Sequence, residues 1–197
     1  MGIQDRKNRE KEAFRKLIIA TAHDIVGKQG LNGLTMRAIA NTIEYSQSKI
    51  YEFFKSKDQI CEVLFEELCV KLLDIVKSVP KGLKPENYLT QIILKTVEFH
   101  TSYPHSDELF TLVCYGPEKF KVPPIYMEME AFSMEAIRNL KSPYIKTDEE
   151  IFIALDTIRC FKIGLLSLMS SGTSLKGSKR ASVMAENIIK VLLRGWK

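Results

Sequence analysis

The chain has 197 residues, 45% of them apolar and 27% charged, with a formal net charge of +5. That balance excludes a disordered polar chain and allows one sizeable helical domain, or a small head with a larger body. The charge is concentrated: Met1 to Ile60 carries 11 Lys/Arg against 7 Asp/Glu, and the rest carries 18 against 17. A basic first third ahead of a near-neutral remainder points to an N-terminal surface that meets something anionic.

The N-terminal stretch MGIQDRKNREKEAFRK is charged from its fifth residue, unlike a secretory signal. The longest uncharged run, Ile163 to Leu175, contains five Ser/Thr and two Gly and is too short to span a bilayer. Cys61, Cys69, Cys114 and Cys160 show no CxxC spacing, so free buried thiols in a reducing cytoplasm are expected.

In chain order, helical periodicity starts at about Lys7. Phe14, Leu17, Ile18, Ala22, Ile25 and Val26 form one apolar face, and Gly30 ends the helix. Short helices follow at about Thr35–Asn41 and Ser46–Phe53. Ser56-Lys57-Asp58-Gln59 has the form of a capping box and opens a fourth helix towards Lys77. Pro85 suits the first turn of a fifth, to about Thr101. After YPHSDE a sixth ends near Tyr115, and after GPEKFKVPP a seventh spans about Ile125–Leu140. Thr147-Asp148-Glu149-Glu150 opens an eighth, to about Ser170. A Gly/Ser-rich loop, SSGTSLKGS, precedes the ninth, about Lys179–Arg194. No stretch alternates with period two, so the expected class is all-α with about nine helices.

The last two helices are apolar around most of their circumference, which requires burial on more than one side. A second subunit is the favoured partner for the outer face. Ile158, Leu165, Leu168, Ala185, Ile188 and Leu192 are the interface candidates, with Gly164, Ser167, Ala181 and Ala185 small enough for close approach.

The stretch from Ile39 to Ile60, IANTIEYSQSKIYEFFKSKDQI, stops at Glu44-Tyr45 and restarts at once. Thr35 and Ser46 are N-caps, and the inner faces are Ile39, Ala40 and Ile43, then Ile50 with Phe53 or Phe54. Two helices joined by so short a turn in a basic region form a helix-turn-helix, whose second helix can enter the major groove of double-stranded DNA. Its outward side chains, Gln47, Ser48, Lys49, Tyr51 and Glu52, suit base edges and phosphates.

LTMRAIANTIEYSQSKIYEFFKSKDQI resembles the N-terminal domain of the TetR family of bacterial transcriptional regulators. The resemblance rests on Gly30–Thr35, Ile39-Ala40, Ser46, Ile50-Tyr51, Phe54, Ser56-Lys57 and Ile60. It implies a DNA-binding head over residues 1–55 and a ligand-binding and dimerisation body over 56–197. It also implies phosphate contacts from Thr35, Lys57 and Tyr51, base reading by Gln47, Ser48 and Lys49 beside Ser46, and a base or phosphate contact from Arg37. Where the family has Ala-Gly-Val across the turn, this chain has Ile43-Glu44-Tyr45. A non-glycine residue held left-handed at Glu44 costs on the order of 1 kcal/mol. Phe53 stands where a polar tip is usual, and inward packing is favoured.

For the body, the resemblance implies an effector pocket and a homodimer. Lining candidates are Phe65, Leu68, Phe99, Tyr103, Phe110, Cys114, Tyr126, Met129, Phe132, Met134 and Phe161, a set that favours an apolar or aromatic effector. His100 and His105 match no metal motif, and no phosphate loop, nucleophile elbow or paired-carboxylate motif is present, so no cofactor, metal or catalysis is expected. The function expected is a repressor released from a pseudo-palindromic operator by a small-molecule inducer. The alternatives are a ligand-dependent activator, or a helical carrier or enzyme with an appended head.

Overall fold

The structure is a computed structural model that describes residues 2–103, 105–118, 120–170 and 178–197. Among them are nine helices and no strand: α1 (Ile3–Gly33), α2 (Met36–Thr42), α3 (Gln47–Tyr51), α4 (Lys57–Lys77), α5 (Pro85–Ser102), α6 (Ser106–Tyr115), α7 (Pro124–Arg138), α8 (Asp148–Ser170) and α9 (Ser178–Gly195). The order is the one read from the sequence. Residues 171–177 of the expected Gly/Ser-rich loop, Pro104 of YPHSDE and Lys119 of GPEKFKVPP lie outside the described residues.

The boundaries have local causes. The first helix starts four residues earlier than its apolar periodicity, in a turn where Gln4, Asp5 and Arg6 are exposed and leave no apolar pattern to read. Gly30 breaks it as expected, at φ 68°, but one further turn follows to Gly33. At the start of α4, the Ser56 hydroxyl accepts from the Gln59 N–H at 3.4 Å, while Gln59 Oε1 accepts from the Lys55 N–H at 2.8 Å. At α8 the capping box is reciprocal: the Thr147 hydroxyl accepts from the Glu150 N–H, and Glu150 accepts from the Thr147 and Lys146 N–H groups. Those backbone donors hold the Glu150 carboxyl below the usual carboxylate range.

The chain forms two compact units, Met1–Leu68 with Pro104–Val122, and Cys69–Tyr103 with Pro123–Lys197. In the first, α1 packs on α2 and α6, and α2 packs on α3. Its buried side chains include Ile18, Ala22, Leu34, Ile39, Ile50, Phe54, Ile60, Leu64 and Phe65. In the second, α5 packs on α7, α8 and α9, and α8 packs on α7 and α9. Val97, Leu165, Ala181 and Ala185 form a buried cluster there, flanked by Leu94, Phe161, Met169 and Met184. Arg159 forms ion pairs with Glu130 and Asp156, tying α8 to α7, and Arg159 and Glu130 are both largely buried.

Candidate nucleic-acid interface

The interface is built on the first unit. The Thr35 hydroxyl accepts from the Ala38 N–H at 2.9 Å and opens α2; the Ser46 hydroxyl accepts from the Lys49 N–H at 3.2 Å and opens α3. Each cap satisfies a backbone donor that the helix start would leave unpaired. Between them the Tyr45 N–H donates to the Ala40 carbonyl at 2.9 Å, closing the turn, and Glu44 is left-handed at φ 59°. The conformation that glycine would take without strain is thus imposed on a glutamate.

Ile50 and Phe54 are buried and anchor α3 from within. Phe53 is half-buried, its ring centroid 5.0 Å from that of Phe14 on α1. Tyr45 meets Phe14 edge-on at 4.7 Å, while about half of its surface stays exposed. Phe14 and Tyr45 are the residues that sequence reasoning missed at this surface. Phe14 was legible as part of an apolar face, but its partners across the turn were not.

Gln47, Ser48 and Tyr51 are exposed, as are Thr35 and Arg37. Lys49 is more constrained. Its ammonium lies 2.6 Å from Glu52 and within 6 Å of the Phe14 and Phe53 ring centroids. The Lys57 ammonium donates to the Leu31 carbonyl at 2.5 Å, so in this structure it caps the end of α1. The helix-turn-helix thus carries five exposed polar side chains, with Lys49 tethered to Glu52 and Lys57 to the end of α1.

Residues 18–64 match the family described as bacterial regulatory proteins, tetR family. These residues carry the N-terminal domain of that family. The match covers α2 and α3 entirely, together with the later part of α1 and the start of α4. Over its length the chain has the fold of solved regulators of low sequence identity. A possible TetR family transcriptional regulator from Streptomyces coelicolor superposes with a TM-score of 0.70 at 14% identity, over 92% of this chain and 97% of that one. The ketosteroid transcriptional regulator KstR2 of Mycobacterium tuberculosis gives 0.63 at 14%, over 92% and 93%. A TetR variant from Acinetobacter baumannii in complex with minocycline gives 0.62 at 17%, over 91% and 96%. No curated protein matches the sequence.

The other candidate residues divide between the units. In the first, Phe65 and Leu68 are buried, Phe110 and Cys114 are half-buried, and the Phe65 and Phe110 rings meet edge-on at 4.9 Å. In the second, Phe99 and Tyr126 are buried, and Tyr103, Met129, Phe132, Met134 and Phe161 are half-buried. Phe99 stacks at 4.7 Å on Tyr103, whose ring also carries the Lys71 ammonium at 5.2 Å. His100 is buried, and its imidazole is pushed down to about 3, first by burial and then by the positive charge of Lys162. No group of three metal-ligating side chains is found among the described residues.

Of the interface candidates, Ile158, Leu165 and Ala185 are buried within the single chain, and Ile188 and Leu192 are half-buried. Leu168 is exposed, together with Ile153, Ile163 and Phe152 on α8 and Val183 and Val191 on α9. The small residues separate likewise: Ala181 and Ala185 lie in the core cluster, whereas Gly164 and Ser167 are exposed. The four cysteines are free, with Cys61 and Cys69 buried, Cys114 half-buried and Cys160 exposed. The expectation of buried thiols thus fails at Cys160, which sits on the outer side of α8 between Ile153 and Gly164, seven and four residues away.

Proposed function

We propose that this protein is a homodimeric, sequence-specific DNA-binding repressor released from its operator by a small molecule, with the head in residues 1–55 and the regulatory body in 56–197. The observation that carries the reading is the capped, five-residue α3 presenting Gln47, Ser48 and Tyr51 outward from a buried Ile50 anchor, within the segment that matches the tetR family. Gln47 can pair with adenine, Tyr51 and Thr35 can hold phosphates, and Arg37 lies on the helix that crosses the backbone. Two such heads about 34–36 Å apart would read successive turns of a pseudo-palindrome.

The exposed apolar residues of α8 and α9 support the dimer: Ile153, Ile163 and Leu168 on the one helix and Val183 and Val191 on the other are left to water at a cost in free energy. The aromatic and Met-containing set in the body supports an apolar or aromatic effector. An effector that binds the non-operator conformation more tightly releases DNA by shifting the population.

The test is fluorescence anisotropy with DNA from upstream of the gene, at several salt concentrations, with Gln47→Ala and Tyr51→Ala alongside. Tight binding weakened by 10-fold or more in either variant supports the reading; the scale follows from about 1–3 kcal/mol per base or phosphate contact. Binding to upstream and genome-selected fragments no stronger than to random duplex sinks it. An effector that tightens the complex makes the protein a ligand-dependent activator.

A further inference from the structure

The N-terminal half of α1 precedes the segment that matches the family model, which starts at residue 18. Residues 2–17 nevertheless hold six of the eleven basic side chains of the first sixty residues, against three acidic ones. They are helical from Ile3 onward. At 3.6 residues per turn, Gln4, Lys7, Asn8, Lys11 and Arg15 fall in one stripe about 100° wide. This polar stripe has no apolar member, so burial in the chain's own core does not account for it.

Its position and its charges are specific. Asn8, Lys11, Glu12 and Arg15 line an open groove of about 480 Å³ whose far wall is Glu52 and Phe53, at the C-terminal end of α3. The two acids of that groove are engaged, Glu12 with Lys16 at 3.9 Å and Glu52 with Lys49 at 2.6 Å. Lys7, Lys11 and Arg15 form no ion pair among the described residues, and Lys7 and Lys11 are exposed. Arg15 is held in place by stacking, its guanidinium 4.7 Å from the centroid of the buried Phe54 ring. Lys11 and Arg15 thus face, across this groove, the C-terminal end of the helix expected to enter the major groove, and Lys7 continues their stripe one turn further along α1.

We infer that the Lys7–Lys11–Arg15 face of α1 is a second, sequence-independent contact with the DNA backbone, gripping phosphates beside the groove that α3 reads. The inference rests on the DNA-binding reading above and adds an anion-binding surface outside the helix-turn-helix. Its energy comes from counterion release, so it raises affinity for every duplex alike and leaves base preference to α3.

The experiment compares the parent chain, Lys7→Gln/Lys11→Gln and Arg6→Gln/Arg9→Gln on a mixed-sequence 30-bp duplex across a salt series. Arg6 and Arg9 lie on the opposite side of α1, so the second pair removes the same charge from the wrong face. Each lysine that no longer neutralises a phosphate lowers the slope of log K against log salt by about 0.9. The expected result is a slope reduced by about 2 for Lys7→Gln/Lys11→Gln and unchanged for the control, with unaltered helical circular dichroism in both. Equal reductions in the two pairs, or none in either while the parent binds, overturn the inference and leave the DNA-binding reading standing. A parent protein that binds no duplex at low salt ends both.

Discussion

The Glu108 carboxylate accepts a hydrogen bond from the Leu31 backbone N–H at 2.9 Å, reaching 77 positions along the chain. Leu31 follows the break in α1 at Gly30, where the N–H loses its helical partner. The other Glu108 oxygen lies 2.6 Å from His105 Nδ1, and the Leu31 carbonyl accepts from Lys57. A side chain added at Gly30 would place its Cβ 3.0 Å from Glu108 Oε2 and 3.1 Å from His105 Nδ1, in a backbone conformation at φ 68°. Gly30→Ala therefore combines backbone strain with crowding, and denaturant unfolding should show a loss of about 1–3 kcal/mol. Glu108→Ala should cost a similar amount by orphaning the Leu31 N–H. Because the crowding is against Glu108 itself, the double variant should lose less than the sum of the two. Strict additivity would show that the crowding is relieved elsewhere.

At the turn between α2 and α3, Glu44 occupies a left-handed conformation with its side chain exposed. Glu44→Gly removes the Cβ penalty while adding unfolded-state freedom, and the two terms leave a net gain of about 0.5 kcal/mol. The midpoint of chemical denaturation should rise slightly, with DNA affinity unchanged. A lower midpoint would mean that Glu44 makes a stabilising contact that outweighs its backbone strain.

On α8 and α9, burial separates two roles that periodicity could not. Ala185 is wholly buried beside Val97, Leu165 and Ala181, so Ala185→Leu overfills a packed site and should destabilise the fold by about 1–3 kcal/mol. Ile153 and Val191 are about 60% exposed, and Ile153→Glu with Val191→Glu should leave the fold intact while converting a dimer to a monomer in sedimentation. A variant that remains dimeric places the subunit interface on another face.

Burial explains why the fold was legible and the site only in part. Caps at Thr35, Ser46 and Thr147 and the break at Gly30 are local chemistry, so residue type and spacing suffice to place them. The exposed side of α3 follows from one anchor, Ile50, and a 3.6-residue repeat. Partnerships between distant segments leave no such trace. Nothing in the spacing ties Lys57 to Leu31, Phe14 to Tyr45, or Glu108 to the end of α1. Helices apolar on nearly all sides are ambiguous for a related reason: period shows which residues share a face, not which face meets the chain's own core. Thus Ile158, Leu165 and Ala185 serve the interior, and the outward residues are Ile153, Ile163 and Leu168.

The ion pair of Arg159 with Glu130 joins α8 to α7, with the two side chains 14% and 13% exposed. Desolvation makes the pair a poor source of net stability, but removing Glu130 leaves the largely buried Arg159 with Asp156 as its remaining ion-pair partner. Glu130→Gln should destabilise the second unit by about 1–3 kcal/mol, and Arg159→Met combined with Glu130→Met should recover much of that loss. Calorimetry of the three proteins separates the outcomes. A double variant no better than Glu130→Gln would show that the contact of Arg159 with Asp156 carries the effect.

His100 gives the sharpest dependence on pH. Its folded value of about 3 lies below the ordinary histidine value of 6.5, because burial and the nearby Lys162 charge oppose protonation. The unfolded chain therefore binds the proton first. The stability that neutral His100 supports is complete above pH 6.5 and is lost progressively as pH falls towards 3, at about 1.4 kcal/mol per pH unit. Measured between pH 6.5 and 5, above the range in which ordinary carboxylates titrate, unfolding free energy should fall in the parent protein by about 1 kcal/mol per pH unit on average, the slope steepening towards its limit as pH falls. His100→Gln cannot take up the proton, so its curve should flatten over the same interval, whatever its absolute stability. Parallel curves for the two proteins would assign the acid sensitivity to another group and show that His100 finds an acceptor able to stabilise its charged form.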